Sequence, residues 1–250
     1  MCSGWDLTQF ELREGEQARF PFFTNAEIAL LEAAMRRGNR ITGVSPGLFK
    51  APVEDTRQLR RELEEVLPRS IDLAVHLECP HLIVFGFARY DGEPAANRVR
   101  VLRAFEHVAE AAADAGLTVA VENEPDFWID RPAETVALLD ELGHPSLRLN
   151  WDPANLHWGS MMPTYEAFSL LRPHLANLHV KDFTPDDPDV PWRPLGQGIT
   201  PWRDILSWIR DETDLPHVTL ETHCEPLIEN TRASLETLRD ILGEEAQGPN

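Results

Sequence analysis

At 250 residues the chain is long enough for one sizeable core. Its 42 acidic against 23 basic residues give a formal net charge of −19, which opposes binding to nucleic acid and to anionic membrane surfaces, since both attract Lys and Arg clusters. Three scattered cysteines, Cys2, Cys79 and Cys224, fit neither a disulfide framework nor a Cys-x-x-Cys metal spacing. No run approaches the roughly 18 apolar residues of a membrane span. No charged-then-apolar leader opens the chain, so a cytoplasmic protein is expected.

In chain order, the first strand candidate is "FELR", Phe10 to Arg13. "TNAEIALLEAAMRRG" opens on the capping residues Thr24 and Asn25, carries helical apolar spacing and stops at Gly38. "ITGVSPGLFK" reads as a strand and loop. Residues 56–79 read as helical with a break at Pro68, and "HLIVFGF" as a buried strand. "NRVRVLRAFEHVAEAAADAG" is a helix ending at Gly116, followed by the strand "LTVAVE", the helix "RPAETVALLDELG" and the strand "LRLNWD". A helix near "YEAFSLLRP", the strand "NLHVKD", the helix "PWRDILSWIRDE" and the strand "HVTLET" complete the alternation. A last helix is expected from about Thr231 to Leu242, and residues 244–250 read as a flexible tail after one domain over 1–243.

Strands alternating with helices of this length predict a parallel sheet with helical crossovers. No Gly-rich phosphate fingerprint follows the first strands, which disfavours a dinucleotide-binding fold. The expected architecture is a (β/α)8-type TIM barrel read with only seven strands, lacking the first β/α unit.

Period-two reading assigns faces to the last four strands. Leu117, Val119 and Val121 oppose Thr118, Ala120 and Glu122. Leu147, Leu149 and Trp151 oppose Arg148, Asn150 and Asp152. Leu178 and Val180 oppose Asn177, His179 and Lys181, and Val218 and Leu220 oppose His217, Thr219, Glu221 and His223. The small and polar set faces the barrel axis, so Glu122, Asp152, His179 and Glu221 reach one mouth from successive strand ends, where barrel active sites lie. Two carboxylates about 4 Å apart repel by roughly 4 kcal/mol at an effective dielectric near 20, so raised pKa values, arginines or a divalent cation must neutralise them. A mostly oxygen ligand set suits Mn2+ or Mg2+, with Co2+ or Zn2+ also compatible. Each residue also has an ordinary structural reading. Asp152 before Pro153 is a normal helix start, Glu122 can pair with an arginine, and His179 can be a hydrogen-bonded core histidine.

The stretches "VAVENEP", "LNWDPANLHWG", "NLHVKDF", "RPLGQGITPW" and "VTLETH", in this order, resemble the xylose isomerase-like barrel superfamily of sugar and sugar-phosphate isomerases and epimerases. The resemblance runs from "FELR" to the last helix. It implies one divalent metal held by Glu122, Asp152, His179 and Glu221, with Glu122 and Glu221 also acting as the acid and base pair. Such a metal would hold a carbonyl and neighbouring hydroxyl of a small carbohydrate and stabilise an enediolate while a glutamate removes the alpha proton. That role calls for a glutamate pKa raised toward neutrality. The chain departs from the pattern in two places. Where relatives often carry Asp-x-x-His, it has Asp152 then Asn155, with His157 two further on. The strand and helix that open relatives have no counterpart before "FELR".

Only two lysines occur, Lys50 and Lys181, against an arginine-rich background. Lys181 shares the face of His179. It reads as a substrate-binding cation, or as the partner of a rim carboxylate such as Asp182. A lysine in this place also resembles inosose dehydratases, which makes a lyase acting on a cyclic polyol or keto sugar the alternative to an isomerase or epimerase. Asn155, His157, Glu124 and Arg193 are further substrate-binding candidates, and His223 is a candidate to orient Glu221. Zinc-dependent DNA-repair nucleases share the barrel, but their Asp-x-His before the Gly-x-Gly stretch is "DVPWRP" here, and the charge opposes DNA. A non-catalytic partner subunit is the remaining reading, and a homo-oligomer would cover an unpaired sheet edge.

Overall fold

The computed structural model describes residues 5–186 and 189–243. Seven strands follow chain order across one sheet: β1 (Gln9–Leu12), β2 (Arg40–Val44), β3 (His81–Val84), β4 (Thr118–Glu122), β5 (Leu147–Trp151), β6 (Leu175–Val180) and β9 (Thr219–Leu220). Two short strands, β7 (Asp182–Phe183) and β8 (Trp192–Arg193), form a separate antiparallel hairpin between β6 and β9. The seven strands form one sheet in chain order with helices between them, a TIM-barrel-like α/β fold, as the seven-strand reading anticipates. The stretch "HVTLET" yields only two residues of strand, because β9 stands last in the sheet order and its ladder runs to β6. The tail expected over 244–250 lies outside the described residues.

The chain divides into two compact units, Met1–Asn150 and Trp151–Asn250, and the division falls inside β5. In the first unit α1 (Asn25–Met35) is capped by Thr24, as expected, and the cap is reciprocal: Thr24 accepts from the Glu27 backbone N–H, and the Glu27 carboxylate accepts from the Thr24 backbone N–H. The helical run at 56–79 is α2 (Thr56–Arg61), a five-residue π segment (Glu62–Val66) and α3 (Leu67–His76). Pro68 is the second residue of α3 inside a continuous helical run, where its missing N–H removes one helical bond. The helical run is therefore irregular at the place expected, as a π segment ending two residues before Pro68. Helices α4 (Ala96–Asp114) and α5 (Pro132–Leu142) follow β3 and β4. Val119, Val121 and Ala120 are all fully buried, so both faces of β4 are covered, as a parallel sheet with helical crossovers requires.

The second unit carries α6 (Pro153–Trp158), α7 (Tyr165–Leu171), α8 (Trp202–Glu212) and α9 (Leu227–Leu242). Its core gathers Trp151, Phe168, Leu178, Val180, Ile205 and Leu206. Helix α9 starts four residues before Thr231, with Pro226 at its N-cap position, and proline is well placed at a helix start. No helix among the described residues is long and apolar enough to cross a membrane.

Hydrogen bonds from the Gln17 and Thr24 backbone hold the Glu27 carboxyl down at about 2, below its ordinary 4.5. A depressed folded-state pKa means that this contribution is fully present above pH 4.5 and is lost as pH falls through about 2. Glu27→Gln is therefore expected to flatten the decline of Tm between pH 4.5 and 2, measured by calorimetry across that range.

Candidate metal centre

Strand periodicity delivers the functional side chains of the second unit. His179 ends the inward-facing row of β6, and Lys181 follows it two residues on, just past the strand. Asp152 follows β5 directly and is the N-cap of α6. Its Oδ1 accepts from the Asn155 backbone N–H at 2.9 Å, so the structural role read from Asp-Pro is present. Its Oδ2 faces the other way, 2.8 Å from Lys181 Nζ. Lys181 Nζ also lies 3.2 Å from Glu221 Oε2, and His179 Nδ1 stands 3.5 Å from the same oxygen. His223 Nε2 is 3.0 Å from Glu221 Oε1. The buried Lys181 ammonium thus bridges two carboxylates, and Asp182 is not its partner. An ammonium is a compact point charge, which suits this narrow position better than a planar guanidinium.

In the first unit, Glu122 ends β4 and is 4% exposed. Asn150 Nδ2 donates to Glu122 Oε2 at 3.5 Å from the paired position on β5. Glu124, two residues on, lies with Oε1 3.8 Å from Lys50 Nζ. Asp152, His179 and Glu221 of the second unit each offer one ligand atom, and these atoms lie within 4.8 Å of one another.

The expected upward shift of a catalytic glutamate does not hold for Glu221. Burial works to raise its carboxyl, but the charges of Lys181 and His179 and hydrogen bonds from His179 and His223 outweigh it, holding the group well below the usual carboxylate range. The donor set fits a divalent cation. Asp152 and Glu221 against the Lys181 ammonium leave −1 before any charge on His179 is counted, and a bound cation would take the place of the His179 proton. Two ligands at about 2.1 Å from a common ion are at most about 4.2 Å apart, so shifts of a few tenths of an ångström would close the cluster.

The remaining candidates fall around this cluster. Asn155 is buried in the first turn of α6. His157 stacks edge-on to Phe183 at 5.3 Å, and burial pushes its imidazole down while the Asp182 charge acts the other way. It lines a cavity of about 460 Å³ with Trp158, Phe183, Thr184 and Ile199. Arg193 Nη1 donates to the carbonyls of Val190 and Trp192, so this guanidinium braces its own loop.

Two contributors escaped the sequence reading. Trp192 on β8 lies with its ring 4.9 Å from Lys181 Nζ and 5.3 Å from the His223 ring, capping the ammonium with an aromatic face. Asp182 is buried and accepts backbone N–H bonds from Phe183, Gly196, Gly198 and Thr200. Burial raises its carboxyl and these four bonds pull the other way. The signal for Asp182 lay in "LGQG", where glycines admit a carboxylate close to the backbone: a Cβ at Gly198 would stand 2.2 Å from Asp182 Oδ1.

Residues 3–241 match the family described as xylose isomerase-like TIM barrel. The chain belongs to this family. Among curated relatives it is 26% identical over 140 residues to a 3-dehydroshikimate dehydratase of Bacillus anthracis, covering 50% of this chain and 48% of that protein. It is 33% identical over 137 residues to a 2-epi-5-epi-valiolone 7-phosphate 2-epimerase of an Actinoplanes strain, covering 54% of this chain and 48% of that protein. The chain thus spans about half the length of the curated relatives it matches. A family structure from Mycobacterium smegmatis in complex with magnesium superposes with a TM-score of 0.73 at 19% identity, over 93% of this chain and 84% of that one.

Asp182→Ala removes the shared acceptor of four backbone donors, and at about 1 kcal/mol or more for each orphaned donor the loss is about 4 kcal/mol. Urea denaturation checks this, with Asp182→Asn expected to lose less because its amide oxygen still accepts.

Proposed function

We propose that this chain is a divalent-metal-dependent isomerase or epimerase that moves a proton alpha to a carbonyl of a small sugar-like substrate. The observation that carries this reading is the meeting of Asp152, His179 and Glu221 around Lys181 in the second unit. These three, with Glu122 as a fourth ligand, would hold the ion, with Mn2+ or Mg2+ suited to carboxylates and one imidazole. When bound, the ion would polarise the substrate carbonyl as a Lewis acid. We take the chain through Gly243 to work as one barrel domain.

The side chains supply the proton transfers. Glu221 is ionised at neutral pH, since Lys181 and His179 stabilise its charged form, so it can accept a proton. His223 fixes one of its oxygens from outside. Glu122, steadied by Asn150, is the second proton carrier. Transfer by one glutamate and return by the other inverts the carbon; return to the neighbouring carbon isomerises the sugar.

A dehydratase is the second reading, favoured by the match to a 3-dehydroshikimate dehydratase and by Lys181 beside the two carboxylates. In that reading the alpha proton leaves as before, and the ammonium donates a proton to the departing hydroxyl, so that water is lost.

Two measurements test the reading. Titration calorimetry on metal-stripped protein is expected to find one Mn2+ per chain, with affinity lost at least about 10-fold in Asp152→Ala and His179→Ala. Incubating the loaded protein with a ketose panel in D2O is expected to place deuterium alpha to the carbonyl by mass spectrometry. Glu122→Gln and Glu221→Gln should slow that exchange about 100- to 10,000-fold. Product lighter by one water, with an enone absorbance, selects the dehydratase. Absence of metal binding and of exchange selects a non-catalytic partner subunit.

A further inference from the structure

The first unit carries a second cluster of ionisable groups, of the opposite sign. Arg13 follows β1 directly. An antiparallel bridge between Glu14 and Arg19, with the Phe20 N–H donating to the Arg13 carbonyl at 3.1 Å, folds the chain back so that Arg19 returns beside Arg13. Gly47 and Lys50 lie on the loop after β2. The Arg19 guanidinium lies across Gly47, where an added Cβ would stand 3.0 Å from Nη2 and 3.3 Å from Cζ. Gly47 has φ +78°, so the loop admits the guanidinium only because the position has no side chain.

Arg19 Nη2 is shut off from solvent and has no hydrogen-bond partner among the described residues. Lys50 Nζ stands 3.8 Å over the Phe85 ring, and its contact with Glu124 at 3.8 Å is loose and partly exposed, a geometry that binds weakly. Burial pushes both Arg19 and Lys50 below their ordinary values. Arg13 adds to this at both groups and Arg19 adds to it at Lys50, against the opposing charges of Glu14 at Arg19 and of Glu124 and Glu122 at Lys50. Mutual repulsion and an orphaned guanidinium donor both cost stability, and an oxyanion beside the three cations would relieve the repulsion. The charge of Glu122 reaches Lys50, which sets this cluster beside one of the proposed metal ligands. Lys181, the other lysine, is already committed to Asp152 and Glu221.

We propose that Arg13, Arg19 and Lys50 form a subsite for an oxyanion substituent, a carboxylate or a phosphate ester, on the substrate whose carbonyl is handled at the metal centre. This rests on the proposed function and narrows it to anionic substrates. In a chain of net charge −19, an anionic substrate meets overall repulsion, so its capture needs a local group of cations.

Titration calorimetry on the full chain tests the subsite, metal-stripped and Mn2+-loaded, with two matched pairs of probes: D-fructose against D-fructose 6-phosphate, and myo-inositol against quinate. At least one anionic probe is expected to bind about 10-fold or more tighter than its neutral partner, with or without Mn2+. The pair that shows the gain tells phosphate from carboxylate. Arg19→Gln and Lys50→Gln should each erase most of that gain while Mn2+ affinity stays within about twofold, and Arg19→Lys should keep part of it. If Arg19→Gln does not fold by circular dichroism, Lys50→Gln decides alone. The proposal is overturned if neither anionic probe gains over its neutral partner, or if the folded variants keep the gain. Failure of the metal reading shows separately, as absent Mn2+ binding beside an intact anion preference.

Discussion

A single buried ammonium governs the chemistry of the second unit. Lys181 Nζ sits 2.8 Å from Asp152 and 3.2 Å from Glu221, so two carboxylates that would otherwise repel share one positive charge. The consequence reaches Glu221, whose carboxyl stays ionised although burial alone would favour the neutral acid. It also offsets one of the two negative charges that Asp152 and Glu221 bring together. With a neutral residue at 181 these two carboxylates would face each other without that ammonium.

The polypeptide around Lys181 is organised to keep that ammonium in place. The Trp202 indole N–H donates to the Lys181 carbonyl at 2.9 Å, which fixes its backbone just past β6. Asp182, the next residue, points away from the cluster and gathers the N–H groups of the Gly196–Thr200 loop. That loop connects the β7–β8 hairpin to α8, and the hairpin brings Trp192 over the ammonium. Two adjacent charged residues therefore do different work. Lys181 balances the carboxylates, and Asp182 shapes the loop that covers Lys181.

Charge is segregated in the same way over the chain as a whole. The excess of acidic residues gives a surface that repels anions, while the described cations near the strand ends sit in specific places. Lys181 is spent on internal carboxylates, and Arg193 braces its own loop. Arg13, Arg19 and Lys50 crowd together in the first unit, with one guanidinium edge buried and facing no acceptor among the described residues. The first arrangement neutralises acids already present in the fold. The second gathers three cations within electrostatic reach of one another.

Much of this was decided by the sequence. Alternation of strands and helices set the fold class, and period-two spacing put Glu122, Asp152, His179 and Glu221 on one side of their strands, because a pleat allows an alternate residue no other direction. The N-cap role of Asp152 and the cap of α1 are local hydrogen bonds, so they too were legible. What lay beyond the sequence were relations between segments far apart in the chain. The partner of Lys181 turned out to be Asp152 and Glu221 instead of its neighbour Asp182, and the Glu221 shift ran opposite to expectation, because both depend on distances between strand ends. The return of Arg19 beside Arg13 and across Gly47 depends on a loop conformation that no periodicity encodes. Sequence fixes the direction of a side chain through the backbone that carries it, but which charges meet is settled only by tertiary packing, since electrostatic energy follows separation in space.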